Sequence, residues 1–444
     1  MTLQEEVLVL RAENRALREQ VAALEQRIAE LEERQRRPPS FVKANRPKSE
    51  AGGRPRRKRE AEHNRGRRRE VPTKVVLHQL EHCPDCGCRL YRRKVAWRRQ
   101  VIELPPPQAV EVTEHIVLKR WCAKCQSWQA ARADWRGEVV GQGRLGIRLV
   151  SLIGYLRTTL RLPLRRIREY LQTVQGVQVS VGELVEVLHR VRKEAQPLLG
   201  SLREEMRNSA LLHMDETGWR EDGRNGYVWV CSTPGERPVR YYEYDRSRSR
   251  AVVQRLLGAQ FAGLLSTDFY ASYNVYQGRH QRCWVHLLRD LHELKEQHPQ
   301  QAEVGQWAED VRQLYEDAQQ FVSVIPAPGQ EEREKQYLAL LERLQPLGLA
   351  YARRKEHPCQ ALAKRLLRHQ EELFQFVLVN GLSADNNLAE RSLRPLVVAR
   401  KISGGTRSNE GSKTRMGLAS LFETWQARGL NPFRQCHALL AQSP

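Results

Sequence analysis

Leucine recurs at every seventh position at the start of the chain, at Leu3, Leu10, Leu17, Leu24 and Leu31. With these as heptad position d, the a positions are Val7, Asn14, Val21 and Ile28. β-Branched residues at a with Leu at d favour two strands, and a single Asn at a fixes parallel pairing and register. The flanking pairs across such a dimer are Glu6 with Arg11, Glu13 with Arg18, Gln20 with Glu25 and Arg27 with Glu32, and three of the four are opposite in charge. The pattern predicts a homodimer zipper through residues 3–31, or a hetero-pair with a similar zipper, or else a helix packed on its own chain. Pro38–Pro39 ends it, because proline cannot continue a helix.

Farther along, the period changes twice. Residues 144–195 read as helices with an arginine-rich face. A helix from Pro163 runs to a turn at Gly176, and Ser180 with Glu183 forms a capping box that opens another. This pattern fits a helix-turn-helix or an ordinary helical hairpin. Residues 210–270 alternate in the manner of strands. Ala210–Met214 and Gly263–Thr267 are short apolar runs that end in acid, at Asp215 and Asp268, with Gly226–Cys231, Val239–Tyr244 and a helix over 249–258 between them. Adjacent parallel strands would bring the two carboxylates to one sheet edge, where ligands of α/β sheets bind. Alternation puts Leu212, Met214 and Glu216 on one face and Asp215 on the other.

Charge narrows the class of partner. The 444 residues carry 74 Lys+Arg against 52 Asp+Glu, a net +22, which points to a polyanion. Residues 34–70 hold 15 basic and 4 acidic residues, so half of the surplus lies in one stretch with little to bury, expected to be disordered when free. Within it, Gly53-Arg54-Pro55-Arg56-Arg57 fits an AT-hook that lays arginine into a narrow minor groove, or a general phosphate-binding linker. No run of about 18 apolar residues would cross a membrane, and the N-terminus lacks a signal-peptide pattern. A cytoplasmic, nucleoid-associated location follows as the expectation.

In a reducing compartment the nine cysteines favour metal over disulfides. Cys83–Cys86 and Cys122–Cys125 are two CxxC pairs whose four thiolates suit one structural Zn²⁺. A redox CxxC is the alternative. The 35 intervening residues include a strand-like run from Val110 to Leu118, which predicts a long hairpin. Two neighbouring carboxylates stay ionised together only around a cation, and few hard oxygen ligands favour Mg²⁺ or Mn²⁺. Glu390 is the third candidate. Ala389, Leu393, Leu396 and Val397 form an apolar stripe at helical spacing, with Asn387, Glu390, Arg391 and Arg394 on the polar side. Each acid also has a plain structural reading: Asp215 as a turn residue, Glu390 as the i,i+4 partner of Arg394.

HMDETGWR, STDFYASY, CWVHLLRDL and DNNLAERSLRPLVVARKISGG resemble motifs of the bacterial insertion-sequence transposases of the "sixty-six" family. The resemblance extends over most of the chain. It implies an α/β RNase H-like core of the DDE type, interrupted by helices and preceded by a zipper, a zinc-ribbon-like module and a helix-turn-helix. The corresponding segments are 1–37 zipper, 38–74 basic linker, 75–140 zinc module, 141–200 helix-turn-helix region, 201–298 first part of the core, 299–375 inserted helical subdomain and 376–444 last helices.

The triad so implied is Asp215, Asp268 and Glu390, holding two Mg²⁺ or Mn²⁺ ions for cleavage at transposon ends and transfer of the freed 3′ end to target DNA. Arg391, Arg394, Arg400 and Lys401 would grip the strand beside a flexible Gly404–Arg407 loop. Small accessory proteins encoded by the same element are possible partners. Cys283 and His286 match a Cys/His motif of several transposase families, read here as helix packing beside the site. An inactive dimeric DNA-binding regulator and an RNase H-like nuclease without strand transfer are the rival functions.

Overall fold

The computed structural model describes residues 20–22, 24, 71–104, 110–131, 134–324 and 326–442. The zipper over residues 3–31, apart from four helical positions, and the basic linker with Arg54, Arg56 and Arg57 lie outside the described residues. The chain forms two units, divided after Leu104.

The described part of the first unit centres on a tight turn. The Cys83 N–H donates to the Cys88 carbonyl and the Gly87 N–H to the Cys83 carbonyl, both at 2.9 Å. Gly87 adopts φ +71°, a left-handed conformation that favours glycine.

The second unit begins with an antiparallel hairpin of β1 (Lys119–Cys122) and β2 (Ser127–Ala130), with Trp121 opposite Trp128. The expected strand over Val110–Leu118 does not form. The run lies exposed, and pairing begins only where the second CxxC turns the chain back on itself. Four helices follow: α1 (Ile147–Thr158), α2 (Leu164–Gln175), α3 (Val181–Glu194) and α4 (Gln196–Arg207). Gly176 closes α2 at φ +67°. Ser180 caps α3, its hydroxyl accepting from the Glu183 N–H at 3.0 Å. The reciprocal half of the expected capping box is diverted, because the Glu183 carboxylate accepts from the Arg144 guanidinium at 2.8 and 2.9 Å.

The sheet then forms: β3 (Leu211–Glu221), β4 (Arg224–Ser232), β5 (Arg240–Asp245), α5 (Arg250–Leu257), β6 (Leu264–Thr267) and β7 (His280–Arg282). Its order is β5-β4-β3-β6-β7. The first three strands are antiparallel, and β6 and β7 run parallel to β3. The remaining helices are α6 (Trp284–Gln297), α7 (Ala302–Val322), α8 (Gln330–Ala352), α9 (Gln360–Arg368), two single helical turns, α10 (Asn387–Ser403), α11 (Asn409–Ala427) and α12 (Pro432–Ala441).

Strand alternation gives the sheet two buried faces. Leu212, Met214, Trp229 and Cys231 pack with α5 and the α1–α4 helices. Trp219, Val228, Val230 and Tyr242 pack under Ala389, Leu393 and Leu396 of α10 and Met416 and Ala419 of α11. A further core joins Leu264 and Trp284 to α6–α9. Both the apolar stripe of α10 and the apolar strand runs are thus spent on one another.

Candidate active site

β3 is longer than its apolar run suggested. Asp215 is not a strand-end turn residue. It sits within the strand, opposite Val230, and the antiparallel pairing with β4 continues to Glu221. The parallel pairing with β6 covers only Leu211, Leu212 and His213, against Leu264, Leu265 and Ser266. Asp215 and Asp268 therefore stand equally far past the Leu211–Leu264 pair, in matching register, where β6 has ended and β3 runs on. Asp215 lies on the α10 face of the sheet, and α10 carries Glu390 in its first turn.

The electrostatics record this convergence. Burial pushes the Asp215 carboxyl well above the usual carboxylate range, and the charges of Glu216, Asp268 and Glu390 push it further. The Glu216 N–H donates to Asp215 Oδ1 at 2.8 Å, and the Tyr270 N–H donates to Asp268 Oδ1 at 2.9 Å. Glu390 Oε1 is buried and makes no hydrogen bond. A buried carboxylate oxygen without a donor is costly. A free carboxylate oxygen is a donor that hard divalent cations such as Mg²⁺ or Mn²⁺ take; among the described residues the close group of candidate ligand atoms around Glu390 is completed by Cys283 and His286.

Several residues that hold this geometry escaped the sequence reading. Asn386, buried, donates through Nδ2 to the Met214 carbonyl at 2.7 Å and faces His213 Nδ1 through Oδ1 at 3.1 Å. It is also the N-cap residue of α10, so it fastens the helix of Glu390 to the strand of Asp215. Burial lowers the His213 pKa to about 4. The ring is therefore neutral at pH 7, with the proton on Nδ1, since it faces an acceptor oxygen. Arg282, buried, donates to the Asp268 carbonyl at 2.9 Å, to Asn274 Oδ1 at 2.6 Å and to the Glu372 carboxylate. Glu216, on the opposite strand face from Asp215, is held by Arg248 and by the Tyr273 hydroxyl. Its pKa is raised by burial. The one sequence signal for these residues was position: an acid directly after Asp215, and an Asn four residues before Glu390.

Cys283 and His286 also belong to this region. Cys283 precedes α6, where its N–H donates to the Thr267 carbonyl at 2.9 Å, beside Asp268. His286 Nε2 lies 3.8 Å from Glu390 Oε1. Trp284 fills the α6–α9 core.

Of the basic candidates, Arg391, Arg394 and Lys401 are exposed on α10, whereas Arg400 donates to the Gly218 carbonyl of β3. The Gly404–Arg407 segment is not a free loop. The Thr406 N–H donates to the Arg220 carbonyl and its carbonyl accepts from the Asp222 N–H, each at 2.9 Å. The Trp219 indole donates to Thr406 Oγ1 at 3.0 Å. The backbone groups of β3 beyond β6 would otherwise lack partners.

At the CxxC pairs, backbone N–H groups of Asp85 and Cys86 point at the Cys83 sulfur and lower its pKa, and those of Cys125 and Lys124 do so at Cys122. The Cys125 N–H lies 3.4 Å from Cys122 Sγ. Each turn thus favours a thiolate, the form in which cysteine binds zinc.

A sheet that carries acidic residues past its parallel strands, in a strongly basic chain with thiolate turns, suits a nucleic-acid-processing class of protein. Comparison with known families agrees. Residues 142–414 match the family described as "Transposase IS66 family", and residues 81–126 match "zinc-finger binding domain of transposase IS66". The first match covers well over half of the chain, which belongs to the IS66 transposase family. Two relatives from Sinorhizobium fredii (strain NBRC 101917 / NGR234) are similar. "Uncharacterized protein y4qI" is 24% identical over 310 residues, covering 64% of this chain and 57% of that protein. "Uncharacterized protein y4jO" is 29% identical over 193 residues, covering 42% of this chain and 58% of that protein. The chain thus spans less than three fifths of either relative. Among the described residues, no helix is long and apolar enough to cross a membrane.

Proposed function

We propose that the protein is a DNA transposase in which Asp215, Asp268 and Glu390 bind Mg²⁺ or Mn²⁺ and catalyse strand cleavage at the ends of an insertion sequence, followed by strand transfer. The observation that carries this reading is that the charges of Asp268 and Glu390 act on Asp215 at the step where β6 stops and β3 continues, with one Glu390 oxygen buried and unpartnered. The sheet order, with three antiparallel strands followed by two parallel ones, supports an RNase H-like core. Bound there, the metal would supply a nucleophile from water or a 3′-hydroxyl at neutral pH and steady the leaving oxygen. Asn386 and Arg282 keep the carboxylates in place, and the α10 arginines 391 and 394 offer positive charge along the path of a phosphodiester strand.

Other parts of the reading rest on narrower support. The zinc-finger match and the thiolate-favouring turns support one structural Zn²⁺ on Cys83, Cys86, Cys122 and Cys125. Arg165, Arg166 and Arg168 on the outer face of α2 support a DNA-binding role for the α2–α3 pair. The leucine heptads support a homodimer, which suits a reaction that joins two element ends.

The test combines purified protein, labelled DNA carrying the element's terminal repeats, a target plasmid and Mg²⁺. End cleavage and joining that are lost in Asp215→Ala and Glu390→Ala establish the activity. Binding without any cut, identical in wild type and variants, favours the inactive DNA-binding regulator. Cleavage without joined product favours a nuclease.

A further inference from the structure

Glu390 has a second set of neighbours. Cys283 Sγ, one ring nitrogen of His286 and a carboxylate oxygen of Glu390 all lie within 4.8 Å of one another. His286 Nε2 and Glu390 Oε1 are 3.8 Å apart, a separation longer than a hydrogen bond. Two buried polar atoms here lack any partner, Glu390 Oε1 and His286 Nδ1. In tetrahedral Zn²⁺ sites, bonds of about 2.0–2.3 Å place ligand atoms roughly 3.3–3.8 Å apart. The trio is thus within about 1 Å of a coordination shell without an ion to draw it in.

The elements holding the trio are fixed independently. The Cys283 N–H is bound to the Thr267 carbonyl at 2.9 Å, the Trp284 N–H to the Ala384 carbonyl at 2.9 Å, and the Asn386 N–H to Cys283 Sγ at 3.2 Å. The side chains of His286 and Glu390 remain 28% and 30% exposed, which leaves a way in for an ion.

We propose that Cys283, His286 and Glu390 form a second metal site, selective for a thiophilic divalent ion such as Zn²⁺ or Co²⁺. Sulfur and imidazole ligands select these ions over Mg²⁺. Binding releases the thiol proton of Cys283. Because Glu390 serves this site too, an ion there withdraws Glu390 from the Asp215–Asp268 pair, so zinc inhibits the Mg²⁺-dependent reaction. This last consequence rests on the proposed function; the site itself does not.

The experiment titrates Co²⁺ into the full chain already loaded with zinc at its CxxC pairs. It reads the visible and sulfur-to-cobalt absorption bands, without DNA. One further equivalent of cobalt with thiolate-type bands is expected in wild type. It should be lost in Cys283→Ser and weakened at least about tenfold in His286→Ala and Glu390→Gln, each removing one ligand. Circular dichroism confirms that the variants are folded, and His286→Ala, at a partly exposed position, covers the case in which Cys283→Ser is not. No added band in wild type, or equal bands in wild type and the folded variants, overturns the site. In the cleavage assay, inhibition by added zinc is expected in wild type and relief of it in His286→Ala, each relative to its own zinc-free rate. Equal inhibition in both overturns the sharing of Glu390. A chain that binds cobalt as expected but cuts no DNA refutes the transposase reading and leaves the metal site standing.

Discussion

Asn386→Ala should loosen the link between the two halves of the active site. In the native protein, the Asn386 side chain satisfies the Met214 carbonyl at 2.7 Å and His213 Nδ1 at 3.1 Å, and it is 1% exposed. Alanine leaves a carbonyl and a ring N–H buried with no partner, because His213 is neutral and its pKa lies at about 4. Each orphaned group costs about 1–2 kcal/mol, so the pair costs roughly 2–4 kcal/mol. For a unit running from Pro105 to Pro444 that is a drop in melting temperature of roughly 3–6 °C. Catalysis should suffer more than binding. Glu390 sits one turn along from Asn386, and a misplacement on the order of 1 Å at reacting groups costs about 10²-fold in rate. Asn386→Asp keeps the shape but sets an oxygen against the Met214 carbonyl, and should be no better. The assays are thermal unfolding by circular dichroism and single-turnover cleavage, with DNA affinity measured in parallel. A melting temperature within about 1 °C of wild type, together with an unchanged cleavage rate, would refute the claim that Asn386 ties α10 to β3.

Three other perturbations follow from the same geometry. Gly405 has φ +114°, and a Cβ there would collide with the Arg220 carbonyl oxygen; Gly405→Ala should undock residues 404–407, lower stability by about 1–3 kcal/mol and open a new cleavage site in limited proteolysis. Burial alone would raise the Glu372 pKa, but the His369 hydrogen bond and the Arg282 charge outweigh it and hold the carboxyl at about 2. Its contribution is present above the unfolded carboxyl pKa and lost as pH falls from about 5 toward 2, on the order of 2–3 kcal/mol given its partial exposure. Melting temperatures across that range should converge for wild type and Glu372→Gln, while at pH 7 the variant melts lower. Arg248→Ala leaves the buried Glu216 carboxylate, beside Asp215 and Asp268, with the Tyr273 hydroxyl in place of a charged partner and should cost about 1–3 kcal/mol, read as early unfolding in urea; Glu216→Gln in the same chain should recover part of it.

Local signals in the sequence carried the helices well. Gly176 and Ser180 mark the end of α2 and the start of α3 because left-handed turns and N-caps are chosen by one or two residues. The parallel approach of β3 and β6 was also legible, since both are apolar runs ending in acid around a helix. Long-range features were not. The continuation of β3 past Asp215 depends on pairing with β4, and polar residues such as Thr217 and Arg220 hide it. The Val110–Leu118 run alternates like a strand but pairs with no strand among the described residues. The Gly404–Arg407 segment reads as a flexible loop, yet it is bound to β3 from nearly 200 residues away. Glu183 shows the same limit: a correct local motif was overridden by Arg144, a tertiary neighbour.

The chain between Asp268 and Glu390 leaves the core and returns to it at nearly the same point. The Trp284 N–H meets the Ala384 carbonyl at 2.9 Å and the Asn386 N–H meets Cys283 Sγ at 3.2 Å, so hydrogen bonds between 283–284 and 384–386 close the neck of the whole helical excursion. Closing a loop grows costlier only slowly with its length. The cost of holding the neck closed therefore depends only weakly on how many residues the excursion contains. In that sense the neck acts as a clasp: extra residues far out in the excursion would leave the places of Asp268 and Glu390 alone, whereas loss of the part packed on Leu264 and Trp284 would not.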